Sequence, residues 1–159
     1  MNHVRQFEDA DAPALATLMM EMVAFYRRPL AVQGDLQTDI VRQAQDVKIV
    51  VAFTDDMLSG FATYGFLYPV AGLQSFAYLQ QIYVASDVRR RGVAEDIMSF
   101  IAARCLDRGC NWMEWSTGVD NLPARKFYEG LGANPSEKIM FEISGSALRA
   151  LAERTKLVL

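Results

Sequence analysis

Three consecutive arginines and a glycine are the residues in this sequence best suited to bind a ligand. Arg89, Arg90, Arg91 and Gly92 stand between a run of strand-forming residues and a segment with helical periodicity. The first N–H groups of a helix have no partner inside the helix, and the helix dipole favours negative charge there. A glycine lets a phosphate approach the main chain, and arginines add charge-assisted hydrogen bonds. This segment therefore predicts a pyrophosphate site.

The same residues also fit an ordinary strand-to-helix turn with solvated arginines. Basic residues at a helix N-terminus oppose the dipole at a cost of roughly a few tenths of a kcal/mol, which a bound anion would remove. Two nucleotide motifs are excluded, because neither the Gly-Lys-Ser/Thr of a P-loop nor the glycine spacing of a dinucleotide-binding turn is present. The local chemistry leaves the anion site and the plain turn both open.

Hydrophobic periodicity predicts a mixed succession of strands and helices around this segment. Strands are predicted at 4–7, 48–53, 57–68, 74–84, 112–116 and 138–143. Helices are predicted at 35–45 and on the apolar faces that begin at Leu15, Ala94, Ala124 and Leu148. Segment 74–84 has no plainly polar face, so it is predicted to be a central strand with regular alternation. Hairpins precede a strand-helix-strand unit, and this order indicates an α/β or α+β fold with a mixed sheet. We expect residues 1–159 to form a single domain.

Two blocks of the sequence together resemble the GNAT superfamily, the Gcn5-related N-acetyltransferases. Arg89-Arg90-Arg91-Gly92-Val93-Ala94 is similar to the family signature Arg/Gln-x-x-Gly-x-Gly/Ala. The segment from Asn121 to Gly132, with Phe127-Tyr128 at its centre, resembles the family block Asn-x-x-Ala-x-x-Phe-Tyr-x-x-x-Gly. The resemblance covers nearly the whole chain. It implies a mostly antiparallel central sheet of about six to seven strands flanked by helices, with a splayed strand pair holding the cofactor.

The resemblance implies that acetyl-coenzyme A is the co-substrate and that Tyr128 is catalytic, as the donor of a proton to the leaving thiolate. The implied cofactor-binding residues are Ile82, Tyr83, Val84, Arg89, Arg90, Arg91, Gly92, Val93, Ala94, Asn121 and Tyr128. In this arrangement the loop amides hold the pyrophosphate, and the strand backbone pairs with the pantetheine arm. Asn121 equally fits a helix cap, and by periodicity alone Tyr128 fits a core position.

The amine acceptor is less clearly indicated. The chain resembles the diamine and polyamine acetyltransferase branch in segments 21–26, 60–66 and 77–79, but that branch carries acidic residues where this sequence has Gln80 and Gln81. Glutamine supplies no charge and cannot act as a base, which argues against a polyamine acceptor. The base could be Glu21, Glu114 or a water chain, or the amine could lose its proton to solvent.

The sequence therefore predicts an N-acetyltransferase that acts on a primary amine of a small molecule, such as a diamine or an amino acid. Two alternatives stay open: an enzyme acting on a protein N-terminus or lysine, and a sensor that binds acyl-coenzyme A without turnover. The resemblance also implies a homodimer, with segment 138–143 and the last helix as its interface.

Composition limits the other function classes. The 159 residues carry a net charge of −3, from 16 basic and 19 acidic side chains, which argues against non-specific nucleic-acid binding. No apolar run approaches the roughly 20 residues of a membrane-spanning helix. Cys105 and Cys110 have no His or Cys cluster nearby, so we expect reduced structural thiols, no metal and a cytoplasmic location. The sole histidine, His3, is expected at the surface.

Overall fold

The structure is a computed structural model that describes residues 1–32 and 34–154. These residues group into two compact units, one spanning Met1–Asp120 and one that begins at Asn121. The first unit contains the sheet, and the second contains the last two helices.

The sheet of the first unit has five strands, which lie side by side in chain order. They are β1 (Asn2–Gln6), β2 (Lys48–Thr54), β3 (Met57–Val70), β4 (Gln74–Val84) and β5 (Met113–Glu114). The first three pairings are antiparallel and the last, between β4 and β5, is parallel. The predicted mixed, mostly antiparallel sheet is therefore confirmed, with fewer strands than expected.

Five α-helices accompany the sheet in the described part of the chain. They are α1 (Ala12–Phe25), α2 (Leu36–Gln43) and α3 (Val93–Asp107) in the first unit, and α4 (Leu122–Gly130) and α5 (Gly145–Glu153) in the second. Apolar side chains of α1, such as Leu15, share a buried core with Phe61 and Tyr83 of the sheet. No helix in the described ranges is long and apolar enough to span a membrane.

Two strand predictions near the end of the chain are wrong or too long. The predicted strand 112–116 is reduced to the two residues of β5, and segment 138–143 forms no strand. The apolar side chains of that segment are exposed, Phe141 at 91%. A strand needs a neighbour for its backbone hydrogen bonds, and apolar, β-branched composition alone does not supply one. The composition of 138–143 therefore indicated a strand for which the described residues provide no partner.

The regular alternation predicted for β4 is interrupted at Gln80. Thr63 of β3 pairs with Gln81 and Tyr64 pairs with Leu79, so Gln80 is an extra residue, a β-bulge. The bulge reverses which side chains face which side of the sheet. Ala77 therefore packs beside Cys105 of α3, whereas Tyr83 packs in the core against α1.

Pairing between β4 and β5 ends just before this bulge. The parallel register consists of Ala77 with Met113 and Tyr78 with Glu114. From Leu79 to Val84, β4 has no strand partner on this edge among the described residues. The predicted splayed strand pair is thus present in the fold.

The position of α3 depends on the absence of a side chain at Gly60 of β3. A Cβ atom built at Gly60 would lie 2.9 Å from Val93 Cγ1 and 3.1 Å from Ile97 Cδ1, both in the first two turns of α3. It would also lie 3.3 Å from the Tyr83 carbonyl oxygen of β4. Gly60 therefore permits the N-terminal half of α3 to pack directly on the sheet.

We predict that Gly60→Ala lowers the free energy of unfolding by about 1–3 kcal/mol, because the added methyl group overpacks this contact. The measurement is urea unfolding followed by circular dichroism. Gly65→Ala is the matched control in the same strand, since a Cβ there has no atom within 4 Å. Equal stability of the two variants would contradict the tight packing of α3 on β3.

Candidate functional site

The loop that precedes α3 presents main-chain N–H groups in an arrangement suited to an anion. Arg90 and Gly92 have φ values of 64° and 82°, in the left-handed region, and such alternation of backbone conformation forms anion-binding concavities. Gly92 is the N-cap residue, so no side chain competes for the first turn. The first N–H that bonds within the helix is that of Asp96, 3.0 Å from the Gly92 carbonyl oxygen. The amides of Val93, Ala94 and Glu95 precede it and have no helical partner.

The first strand holds this loop in place through Asn2. Its side-chain amide donates to the Arg91 carbonyl oxygen at 3.0 Å and to Asp96 Oδ2 at 2.7 Å. Its side-chain oxygen accepts from the Thr54 hydroxyl at 3.0 Å. Asn2 thus connects β1, β2, the loop and the first turn of α3.

The turn between β2 and β3 provides a second anchor for the loop. Asp55 and Asp56 both have positive φ, 51° and 63°, as a two-residue hairpin of type I′ requires. The Arg91 guanidinium lies 3.0 Å from Asp55 Oδ2, and this hydrogen bond is the main cause of a lowered pKa of the Asp55 carboxyl. Arg91 is therefore directed towards the hairpin turn.

The other two arginines of the loop have different surroundings. Arg89 Nε donates to the Val84 carbonyl oxygen at 3.1 Å, and its guanidinium lies 4.3 Å from the Phe25 ring centroid and 5.4 Å from that of Tyr83. Arg90 is exposed and forms no ion pair with any residue of 1–32 or 34–154. Of the three, Arg90 is the cation that remains available to an anion at the loop.

The end of β4 offers backbone groups along its unpaired edge. The Ala85 N–H donates to the Ser59 carbonyl oxygen of β3 at 2.8 Å. Because consecutive residues of a strand direct their backbone groups to opposite sides, Ile82 and Val84 direct theirs to the other edge. Their carbonyl oxygens accept from side chains, Ile82 from Gln81 Nε2 at 3.3 Å and Val84 from Arg89. An extended chain with amide groups can pair with such an edge.

Glu21 of α1 connects the helix to the end of β4. Its carboxylate accepts from the Tyr83 hydroxyl at 2.9 Å and from the Ser86 N–H at 3.0 Å. Burial acts to raise the pKa of Glu21, but the hydrogen bonds from Ser86 and Tyr83 outweigh it and the pKa is lowered. Burial and the Glu21 hydrogen bond raise the pKa of Tyr83 to about 12. At neutral pH the pair is therefore a charged carboxylate and a neutral phenol.

Glu114 lies where the two parallel strands separate. It is the last residue of β5, pairs in register with Tyr78, and accepts a hydrogen bond from Trp112 Nε1 at 3.2 Å. The Trp112 ring stacks on Phe76 with ring centroids 5.3 Å apart. Glu114 is thus held at the mouth of the gap by an aromatic pair on the same face of the sheet.

The remaining predicted site residues, Asn121 and Tyr128, belong to the second unit. Asn121 is the N-cap of α4, and its side-chain oxygen accepts from the Ala124 N–H at 3.3 Å, so the predicted helix cap is confirmed. Tyr128 is half-buried on α4, with its ring centroid 5.3 Å from that of Phe127. His3 is exposed on β1, as predicted.

Sequence reasoning did not identify Asn2 and Asp55 as parts of the site. Asn2 is separated from Arg91 by 89 positions in the chain, and Asp55 by 36. No local spacing connects such residues to the arginine loop, and only the sheet topology brings them to it.

The geometry of the site fits acetyl-coenzyme A. The free amides at the start of α3 suit a pyrophosphate, and the open edge of β4 suits an arm with amide groups, so the residues fit this co-substrate. Within the described ranges, no group of three or more His, Cys, Asp or Glu side chains is placed to hold a metal ion.

Comparisons with known proteins relate this architecture to one family. Residues 15–133 match the Acetyltransferase (GNAT) family. An aminoglycoside N(6')-acetyltransferase type 1 of Salmonella typhimurium is 27% identical over 104 residues, 64% of this chain and 72% of that protein. A thialysine N-epsilon-acetyltransferase of Bos taurus is 32% identical over 79 residues, 47% of this chain and 46% of that protein.

Solved structures agree with the fold. An integron cassette protein of V. cholerae has a TM-score of 0.82 at 23% identity, over 96% of this chain and 98% of that chain. The aminoglycoside N-acetyltransferase AAC(6')-Iy, in complex with CoA, has a TM-score of 0.75 at 19% identity, over 91% and 95% of the two chains. At these identities the likeness shows the fold alone. Since the family match spans more than half of the sequence and the fold agrees with it, the chain belongs to the GNAT family of acetyltransferases.

Proposed function

We propose that this protein transfers the acetyl group of acetyl-coenzyme A to a primary amine of a small molecule. Family membership supports an acetyltransferase that acts on amines. The observation that carries the proposal is the loop of Arg90 and Gly92 with its unpartnered helix amides, beside an open edge of β4. We further propose that the chain acts as a single N-acetyltransferase domain in a cytoplasmic homodimer.

The loop and the open edge would share the binding of the co-substrate. The amides from Arg90 to Ala94 would hold the pyrophosphate, with Arg90 adding a charge-assisted contact. Ile82 and Val84 would pair with the pantetheine arm through the backbone groups that β5 leaves free. Asn121 would donate its side-chain amide to that arm while its oxygen caps α4, since the two roles use different atoms.

The proposed chemistry is a direct acyl transfer. Bound acetyl-coenzyme A supplies a thioester carbonyl, at which a C–N bond forms while the C–S bond breaks. The Val84 N–H, at the open edge, would stabilise negative charge on that carbonyl oxygen. The Tyr128 hydroxyl would donate its proton to the leaving sulfur, and the proton that the attacking nitrogen loses as the C–N bond forms would restore that hydroxyl, directly or through water.

The residues at the end of β4 do not supply a strong base for the proton that the amine must lose before it attacks. An alkylamine with a pKa near about 10.4 arrives protonated and must be deprotonated before attack. The lowered pKa of Glu21 makes its carboxylate a weak base, and Gln80 and Gln81 are uncharged. We therefore propose that the amine loses its proton to solvent before it binds productively.

The acceptor class is proposed from the relatives and from charge. The relatives are named as acetyltransferases of aminoglycosides and of thialysine. Both kinds of acceptor are polar small molecules that carry amino groups. Gln80 is exposed at the bulge and Gln81 donates to the Ile82 carbonyl oxygen, so β4 places no carboxylate near the open edge to attract a polycation. This favours compact polar amines, of the kind named for the relatives, over long polyamines.

For Tyr128→Phe we predict a fall in kcat of about 10²–10⁴-fold, the usual contribution of a general acid, with the affinity for acetyl-coenzyme A nearly unchanged. The measurement is thiol release from acetyl-coenzyme A with an aminoglycoside, thialysine, ornithine, a diamine, spermidine and a lysine peptide. Tyr68→Phe removes the same hydroxyl from an exposed tyrosine and serves as control. Full activity of Tyr128→Phe would refute the acid assignment. Cofactor binding without turnover of any amine would favour a sensor.

The pH dependence of kcat/KM tests the source of the free amine. We predict that the rising limb shifts with the pKa of each acceptor, because only the unprotonated amine attacks. Glu21→Gln should leave that limb in place and lower kcat by less than about tenfold, and Glu137→Gln is an exposed control. If the rising limb instead lay at the same pH for every acceptor and disappeared in Glu21→Gln, Glu21 would be identified as the base.

Arg90→Gln tests the loop. We predict that it weakens binding of coenzyme A by about tenfold, since one hydrogen bond to a charged group is worth about 1.5 kcal/mol or more. Isothermal titration calorimetry at several salt concentrations should also show a shallower salt dependence. Arg28→Gln changes an exposed arginine outside the loop and should bind normally. Unchanged binding by Arg90→Gln would remove this side chain from the site.

A further inference from the structure

A small cavity with charged residues in its lining lies in the first unit, at the opposite end of α3 from the arginine loop. Its volume is about 230 Å³. Its lining residues come from β1, β2, β3 and the last turns of α3, and they are Gln6, Lys48, Tyr64, Phe66, Arg104, Asp107 and Arg108. The 15 residues of α3 correspond to roughly 22 Å of helix. This cavity is therefore separate from the site proposed for coenzyme A.

Sheet register and helix periodicity bring the polar residues of this cavity together. Lys48 of β2 pairs directly with Tyr64 of β3, so both side chains lie on the same face of the sheet. That face is the one covered by α3, because Gly60, four residues before Tyr64, lies against Val93. Arg104 and Arg108 are four residues apart and thus share one side of the helix.

Tyr64 gives the cavity a buried hydrogen-bond donor. Its side chain is only 1% exposed and is part of the cavity lining. Burial raises the pKa of Tyr64, while the charges of Arg104 and Arg108 act to lower it, which indicates that both guanidiniums lie near the phenol. A phenol that keeps its proton can donate a hydrogen bond to a ligand in the cavity.

The cavity also has an excess of positive charge. Arg104 lies 2.8 Å from Asp107, the one carboxylate in the lining. Arg108 lies 4.6 Å from the Phe66 ring centroid, and neither it nor Lys48 forms an ion pair within the described part of the chain. Basic residues at a helix C-terminus commonly complement the helix dipole. That explanation covers the two arginines, but it covers neither Lys48 of β2 nor the Tyr64 hydroxyl.

We propose that this cavity binds the oxyanion group of a small molecule, a carboxylate or a phosphate. The Tyr64 hydroxyl donates to the oxyanion from the floor of the cavity, and Lys48 and Arg108 balance its charge. The volume of about 230 Å³ is enough for an oxyanion group, the part of the ligand that this proposal concerns. This proposal does not depend on the acetyltransferase function.

The test uses two probes on the full chain, inorganic phosphate and malonate, at constant ionic strength and with coenzyme A present to occupy the arginine loop. Calorimetry and the shift of Tm with probe concentration should both show saturable binding. The tighter probe identifies the class of oxyanion. Tyr64→Phe, which keeps the ring, and Arg108→Gln should each weaken binding about tenfold or more, as expected for a hydrogen bond to a charged group. Arg90→Gln, in the other site, should not change it.

The absence of saturable binding for both probes would overturn the proposal. So would equal affinities in the wild type, Tyr64→Phe and Arg108→Gln, since the anion would then bind elsewhere. If Tyr64→Phe proves too unstable to assay, Lys48→Gln replaces it, because Lys48 is exposed and contributes little to the core. Unchanged binding in Lys48→Gln and Arg108→Gln would likewise refute the site.

Discussion

One additional residue in β4, Gln80, determines how the rest of the first unit is arranged. A strand that gains a residue reverses the side-chain pattern beyond the bulge and bends away from its neighbour. Before the bulge, β4 pairs with β5 and packs Ala77 against α3. After it, Tyr83 faces α1, and the backbone of Ile82 and Val84 lies on an edge without a strand. The open edge and the α1 contact therefore have the same cause, and neither can be changed without the other.

The arginine loop is held at the end of this strand from two sides. Asn2 bonds its backbone and the first turn of α3, and Asp55 pairs with Arg91. These contacts offset the roughly 1–3 kcal/mol cost of a non-glycine residue, Arg90, in the left-handed region. The amides of the loop are thus fixed before any anion arrives, so binding pays little further ordering entropy. Gly60 also contributes, because the absence of a side chain there lets the start of α3 pack close to the sheet.

The features that the sequence made predictable are those encoded locally. The bounds of β4, the hairpin turn at Asp55 and Asp56, and the cap at Asn121 each follow from the residues within a few positions. The bulge at Gln80 could not be predicted, because glutamine fits a regular strand as well as a bulge and the register of β3 decides between them. The strand prediction for segment 138–143 was wrong for a similar reason, since strand propensity does not specify a pairing partner. The contacts of Asn2, and the meeting of Lys48 with Tyr64 and Arg108, depend on the topology of the whole sheet.

The shifted pKa values of Glu21 and Tyr83, at the end of β4, make both groups poorly suited to proton transfer near neutral pH. Glu21 has a pKa below the ordinary value of 4.5, so it contributes stability above that pH and loses it as pH falls through the lower folded pKa. Tyr83 has a pKa of about 12 instead of 10, so its contribution is present below pH 10 and is lost as pH rises towards 12. Between these limits neither group changes charge, and the Arg89 guanidinium lies over the rings of Phe25 and Tyr83. This pair therefore adds nothing to the pH dependence of the proposed transfer over that range, in which we expect the acceptor amine to titrate. The selection of acceptors by the pKa of their amino groups would then be a direct consequence of the contacts that fix α1 to β4.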